Sequence, residues 1–487
     1  MLLCRLIVLW LWLAVLAAAA HAHGKNALPG DIVQALARAE VPLDSVAMLV
    51  APLPSTAKDG KPDVGARLSW QADAPMNPAS VMKLVTSYAG LELLGPGYFW
   101  KTHVLTQGKV QDGTLRGNLL IQGGGDPKLV LERIQDLLQA IQNHGVRHIE
   151  GDILLDNGIF NLPPHDPAAF DEDPLRPYNA GPDGLLLNFK ALVLKFFPDP
   201  ASGRVRVESE PPMAGVGIPS EALAAKGPCV DWRGRLAANF SNPNRVTFAG
   251  RYPVSCGEQS LSVAYADPSG HAPRVIDAMW RAAGGRLTGG VKWHNGKITG
   301  QPLVTGYSLP LVSIIDDINK FSNNVMAQQL FLTLSVGEQR RGSFAGSRQV
   351  LERWWRERIG SRAAAPEIEN GSGLSRTERI SAAALAALLL QAAAGPHAGE
   401  FEQSLPIAGV DGAIRNLAVR SPNSEAIGNA RLKTGTLRDV AAIAGYAWGR
   451  SGKKYVVVGL INHSNASAAK PALDRLLEWA IRDDRPL

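Results

Sequence analysis

Four serines in the chain are followed three residues later by a lysine: Ser55–Lys58, Ser80–Lys83, Ser451–Lys454 and Ser467–Lys470. On a helix that spacing places both side chains on one face, where an amine can take the hydroxyl's proton. Their surroundings separate the four. Ser55 lies in a Pro/Gly/Asp turn, Ser451 straddles a hairpin turn, and Ser467 comes just before Pro471, where a helix would only be starting. Ser80 stands at the start of a long apolar helical pattern, residues 77–94, with Asn77 at the cap and Pro78 in the first turn. There its own N–H lies outside the intrahelical bonding, and the helix dipole favours a developing oxyanion. Taken alone, Ser80 reads equally well as a first-turn serine.

Two further motifs follow in order. Ser322-Asn323-Asn324 precedes a helical VMAQQLFLTL stretch, the usual context of an N-cap. Lys433-Thr434-Gly435, the only K-T-G in the chain, leads directly into the strand pattern 440–448. A lysine on a strand edge followed by glycine lets a substrate carboxylate approach both the cation and the backbone. Each motif is weak by itself, and S-x-N recurs at Ser421-Pro422-Asn423. The ordered set is not weak: these are the elements of serine acyl-enzymes that react with penicillin.

The elements around the motifs suggest how they are held. Residues 45–52 read as a buried strand, and 431–461 give two apolar runs joined by the turn Gly449–Gly452. Helical patterns cover 316–335 and 379–395, and Leu473, Leu476, Leu477, Ala480 and Ile481 form the apolar face of a closing amphipathic helix. Between about 99 and 265 the texture changes to short β-like runs (LLIQG, DILLD, RVRVES, RVTFAG) broken by Gly and Pro. The expected class is α/β: one domain built from both ends of the chain, 23–98 and 266–487, interrupted by a β-rich insertion at 99–265.

At 487 residues the chain exceeds the size of a single hydrophobic core. Its 50 Lys plus Arg against 44 Asp plus Glu give +6, without any run of five basic residues, which argues against a nucleic-acid binder. Residues 1–22 have Arg5, an apolar stretch from Leu6 to Ala20 and a small-x-small end at Ala20-His21-Ala22, the pattern of a cleavable signal peptide; a membrane anchor is the alternative. Cys4 lies inside that segment. Cys229 and Cys256 remain, either a disulfide of an oxidising compartment or two free thiols.

The chain resembles the D-alanyl-D-alanine carboxypeptidase/endopeptidase family, the low-molecular-mass class C penicillin-binding proteins. The resemblance is carried by Pro78–Lys83, Gly151–Asp156, Lys320–Phe331, Asn370–Arg376, Leu405–Asp411 and Lys433–Leu437, together with the long interval between Lys83 and Ser322. It implies a transpeptidase-like domain, an antiparallel sheet flanked by helices, carrying the insertion. It also implies export to the periplasm, cleavage of peptidoglycan stem peptides ending in D-Ala-D-Ala, covalent inhibition by β-lactams, and no metal or other cofactor. In that family's terms Ser80 is the nucleophile and Lys83 its base, which requires a lysine pKa about three units below its usual ~10.4, or about 4 kcal/mol. Ser322 with Lys433 passes the proton to the leaving amine, and Asn324 holds the substrate amide and positions Lys83. Lys433, Thr434 and Gly435 receive the terminal carboxylate, and the N–H groups of Ser80 and Thr436 form the oxyanion hole. Counting from Asp156–Phe160, Asp173 matches the acidic residue that grips the amino end of a diaminopimelate side chain, although Phe170-Asp171-Glu172 replaces the family's Trp-rich surroundings. Asp173 also reads as a solvated loop carboxylate. A β-lactamase or esterase on the same scaffold and a catalytically idle wall-binding protein are the competing functions.

Overall fold

The computed structural model describes residues 27–54, 65–199 and 202–483. The segment read as a signal peptide and the Ser55–Lys58 pair lie outside the described residues. Strand Val46–Pro52 pairs antiparallel with Lys454–Asn462, Val46 opposite Ile461 and Pro52 opposite Tyr455, so the two ends of the chain share one sheet. The full order is Ala430–Leu437, Val440–Trp448, Lys454–Asn462, Val46–Pro52, Leu68–Trp70, all antiparallel. Its central strands read as unbroken apolar runs because both faces are covered. Helices Gly30–Arg38 and Lys470–Ile481 pack on one face through Leu36, Leu473 and Leu477. On the other lie Lys83–Leu94, Leu311–Phe321 and Ala382–Ala394, packed through Tyr88, Ile315 and Leu388. Among the described residues no helix is long and apolar enough to cross a membrane.

The insertion has its own core. A seven-stranded sheet, centred on the hairpin Lys101–Gln111 and Thr114–Gln122, is backed by helices Leu131–Asn143 and Pro268–Ala282. A five-stranded sheet (Ala191–Asp199, Arg204–Glu210, Glu221–Ala225, Tyr252–Pro253 and Gln259–Ala264) completes it. Beside that sheet Cys229 is bonded to Cys256.

The change of texture at about 265 and the end of this unit do not coincide. Strand Gln301–Tyr307 returns to pair with Lys101–Gln111, Tyr307 opposite Lys101, so the chain enters and leaves the insertion side by side. The helical pattern after 268 belongs to the insertion. Composition registers an amphipathic helix; it does not register which sheet the helix covers. The 316–335 pattern is likewise two helices, Leu311–Phe321 and Asn324–Thr333, broken at Ser322 with φ +58°.

The disulfide closes a loop of 27 residues, with Cys256 in the insertion's core and Cys229 exposed, apart from the layers around Ser80. Replacing both cysteines with serine is expected to cost about 3.5 kcal/mol of stability. Calorimetry should show an early transition of the inserted unit, while β-lactam labelling of Ser80 below that transition stays at the wild-type level.

Candidate active site

Ser80 lies in a short 3₁₀ turn, Ala79–Met82, rather than in the α-helix itself, which begins at Lys83. Asn77 sets this turn. Its Oδ1 accepts from the N–H of Ala79 (2.8 Å), and its Nδ2 donates to the Ser375 carbonyl (2.9 Å). Asn462, at the end of its strand, exchanges two hydrogen bonds with the Asn77 backbone, 2.8 and 2.9 Å. Ala79 is thereby held at φ +47°, a left-handed conformation that a residue with a Cβ adopts only when its surroundings impose it.

Two glycines make room for this turn. A Cβ on Gly435 would come within 2.4 Å of the Pro78 carbonyl oxygen, and one on Gly373, itself at φ +78°, within 1.9 Å of the Ala79 carbonyl oxygen. The K-T-G strand and the Asn370–Arg376 loop therefore close on the backbone of the Ser80 turn from two sides. A Cβ at Gly435 would also lie 3.2 Å from the Ser80 nitrogen, so the part of the strand edge beyond the Ile407–Arg431 bridge runs alongside that N–H.

Lys83 is fully buried. Its Nζ lies 3.0 Å from Ser80 Oγ, 2.7 Å from Asn324 Oδ1 and 2.5 Å from the Ser372 carbonyl. A neutral amine has two N–H donors and one lone pair. Asn324 Oδ1 and the Ser372 carbonyl can only accept, so they take the two donors and leave the lone pair facing the Ser80 hydroxyl. Burial, reinforced by the positive charge of Lys433, holds the Lys83 pKa well below its ordinary value, while Glu378 opposes this. Lys433, also fully buried, donates to Ser322 Oγ and to the Thr434 carbonyl, both at 2.8 Å, and burial lowers its pKa to about 7. The left-handed turn at Ser322 aims its hydroxyl at Lys433; the helix cap is Asn323, whose side chain accepts from the Met326 N–H.

Five of the nine sequence-derived residues form two hydrogen-bonded groups, Ser80–Lys83–Asn324 and Ser322–Lys433, joined through the turn that carries Ser322 and Asn324, with Gly435 against the Ser80 backbone. Thr434 and Thr436 alternate with Lys433 and Gly435 along the strand and line a small cavity with Arg420, Lys470 and Asp474. Asp173 stands apart. Its carboxylate pairs with Arg176 at 2.7 Å on an exposed loop. That loop reaches the cluster through Tyr178, whose carbonyl accepts from Asn324 Nδ2 at 3.2 Å. Beside it opens a cavity of about 710 Å³ lined by Phe170, Asn179, Gln328, Asn370, Leu374 and Arg376, among others. The carbonyls of Ser372 and Tyr178, the amide of Asn462 and the buried Glu378 were not singled out by motif. Carbonyls carry no side-chain signal, and only the quoted Asn370–Arg376 segment pointed to that loop.

Residues 65–482 match the family model described as D-Ala-D-Ala carboxypeptidase 3 (S13). The chain is 25% identical over 392 residues to the D-alanyl-D-alanine carboxypeptidase DacB of Haemophilus influenzae, covering 80% of each. It is 26% identical over 443 residues to the D-alanyl-D-alanine carboxypeptidase of Actinomadura sp., covering 83% of this chain and 77% of the relative. Its fold is similar to the crystal structure of penicillin binding protein 4 from H. influenzae, with a TM-score of 0.72 at 22% identity over 92% of this chain and 100% of that one. With the family model spanning both catalytic segments and the insertion between them, the chain belongs to the D-Ala-D-Ala carboxypeptidase 3 (S13) family.

Proposed function

We propose that the protein hydrolyses peptidoglycan stem peptides ending in D-Ala-D-Ala, as carboxypeptidase or cross-link endopeptidase, through an acyl-enzyme on Ser80. The observation that carries this reading is the Lys83 amine, buried and 3.0 Å from Ser80 Oγ, with two obligate acceptors on its other sides. Lys83 takes the Ser80 proton as Oγ bonds to the carbonyl carbon of the penultimate D-Ala. The tetrahedral oxyanion lies against the N–H groups of Ser80 and Thr436, where one such donor is worth about 10²–10³ in rate. When the C–N bond breaks, the leaving amine takes a proton through Ser322, supplied by Lys433. The substrate's terminal carboxylate approaches Lys433 and the Thr434–Thr436 strand edge. The proton held by Lys83 then passes to Lys433, which restores both amines; water attacks the ester carbonyl, gives its proton to Lys83, and Lys83 returns that proton to Ser80 Oγ as the ester C–O bond breaks. Asp173 receives the amine of a diaminopimelate side chain by exchanging it for Arg176. The Cys229–Cys256 disulfide supports an oxidising compartment, and with the N-terminal signal pattern we assign the protein to the periplasm.

A β-lactam should add one acyl mass to the protein, mapping to Ser80, and Ser80→Ala should abolish both the adduct and peptidase turnover. A wild-type protein that stays unmodified in intact-mass analysis would remove the reading. Gly435→Ala forces the K-T-G strand away from the Pro78 carbonyl. Acylation by a fluorescent penicillin should fall about 10²-fold, the usual effect of an ångström-scale misplacement, and an unchanged rate would refute the close-approach argument.

Lys433 must be charged to bind a carboxylate and donate a proton, so activity is lost as pH rises through its pKa. In the free enzyme that pKa is about 7, so kcat/KM should begin to fall near there. A bound carboxylate favours the cation, and the falling limb of kcat should therefore lie at higher pH. Coincident limbs would show that Lys433 does not face the carboxylate.

A further inference from the structure

Below the Ser372 carbonyl that holds Lys83 lies a carboxylate without an assigned role. Glu378 is 1% exposed. Its Oε1 accepts from three successive backbone N–H groups, Glu369, Asn370 and Gly371, at 3.0, 3.0 and 3.1 Å. Its Oε2 is buried and has no hydrogen-bond partner among the described residues. We propose that Glu378 is a positioning residue for the base: it gathers these amides so that the carbonyl of the following residue, Ser372, is aimed at Lys83, and it provides a buried negative charge that acts on Lys83. The proposal rests on the reading of Lys83 as the base.

The geometry follows from the need to satisfy buried amides. Three N–H groups converging on one point call for an anion, and three charge-assisted bonds fix the peptide planes on either side. Asn370 locks the inner side of the same turn, its Oδ1 accepting from Ser372 N (2.9 Å) and Ser372 Oγ (2.6 Å). Thr86, one helical turn beyond Lys83, donates to the Gly371 carbonyl at 2.6 Å. The plane of the Ser372 carbonyl is thus determined from three directions before it reaches Lys83 Nζ.

The charges around the base are few. Lys433 faces it from strand Ala430–Leu437 and lowers its pKa, whereas the Glu378 carboxylate raises it; burial pushes Glu378's own pKa up, and the three amides and Lys83 pull it down. Ser80 and Asn324 are neutral, and the insertion contributes the Tyr178 carbonyl behind Asn324. On the loop itself, Glu369 Oε2 is taken by Ser375 and Thr377, Arg376 pairs with Asp439, and Arg379 donates to the carbonyls of Arg376 and Glu378. Glu378 therefore acts on the base in two ways, by aiming a carbonyl and by its field.

The two roles separate by mutation. Glu378→Gln keeps an oxygen for the amides and removes the charge. Lys83 then loses a group that favours its cation, its pKa falls, and the acid limb of penicillin acylation should move about one unit to lower pH. Glu378→Asp keeps the charge and shortens the reach, so the limb should stay and the plateau rate should fall about 10²-fold. An acid limb unmoved in folded Glu378→Gln, or displaced equally in both variants, would overturn the electrostatic role. A wild-type plateau in Glu378→Asp would overturn the positioning role, and this arm stands even if Glu378→Gln does not fold. Lys83→Ala, measured alongside, distinguishes the two layers. If it acylates at the wild-type rate, the assignment of the base itself fails. If it is inert while the Glu378 variants behave as wild type, only the present proposal fails.

Discussion

The site depends on burying an amine close to a hydroxyl. An ammonium at Lys83 would need three acceptors and solvation; the protein supplies two obligate acceptors and the Ser80 hydroxyl, and keeps Lys83 fully buried. Desolvation disfavours the charged form, and a second buried lysine 2.8 Å from Ser322 adds repulsion. Two buried lysines that repel each other form an unstable arrangement unless something fixes their distance. Here that distance is set by separate elements: one lysine starts a helix, the other lies on the sheet edge, and Ser322 and Asn324 from a third element touch both.

Much of the surrounding architecture follows from that requirement. The strand bearing Lys433 must approach the nucleophile's turn at backbone distance, and a glycine at 435 makes this possible. It must also be an edge strand, because a neighbour on its outer side would occupy the space where a peptide lies. The order of the sheet, with Ala430–Leu437 outermost, meets this condition. Ala79 and Ser322 are two of the non-glycine residues held at positive φ, and both lie beside the cluster's reactive groups.

The sequence made the chemistry more legible than the geometry. Ser80, Lys83, Ser322, Asn324 and Lys433 were identifiable because each bears a reactive group in an ordered motif. The two-ended sheet was readable too, since strands buried on both faces appear as runs such as VAAIAGYAW. Three features were less visible. Ser80 sits in a 3₁₀ turn because Asn77 and Asn462, 385 residues apart, hold it there, and such a long-range pair leaves no local pattern. The insertion extends to Tyr307 because a seven-residue strand returns to Lys101, which composition does not reveal. Asn324 points one side-chain N–H at the Tyr178 carbonyl, a contact invisible to any reading of side-chain types.

That last contact ties the insertion to the catalytic cluster. Gln329, one helical turn and a half beyond Asn324, reinforces it: its Nε2 donates to the carbonyls of Gly125 and Asp183, and its Oε1 accepts from the Asp183 N–H. Helix Asn324–Thr333 is therefore bonded to the insertion at two levels, while its first residue holds the base. An insertion joined to its host only at neighbouring chain ends could swing without consequence. This one cannot, since moving the 166–179 loop pulls on the same amide that orients Lys83. The size of the insertion matters less for the chemistry than these few bonds, through which a peptide held against the loop bears directly on the geometry of the base.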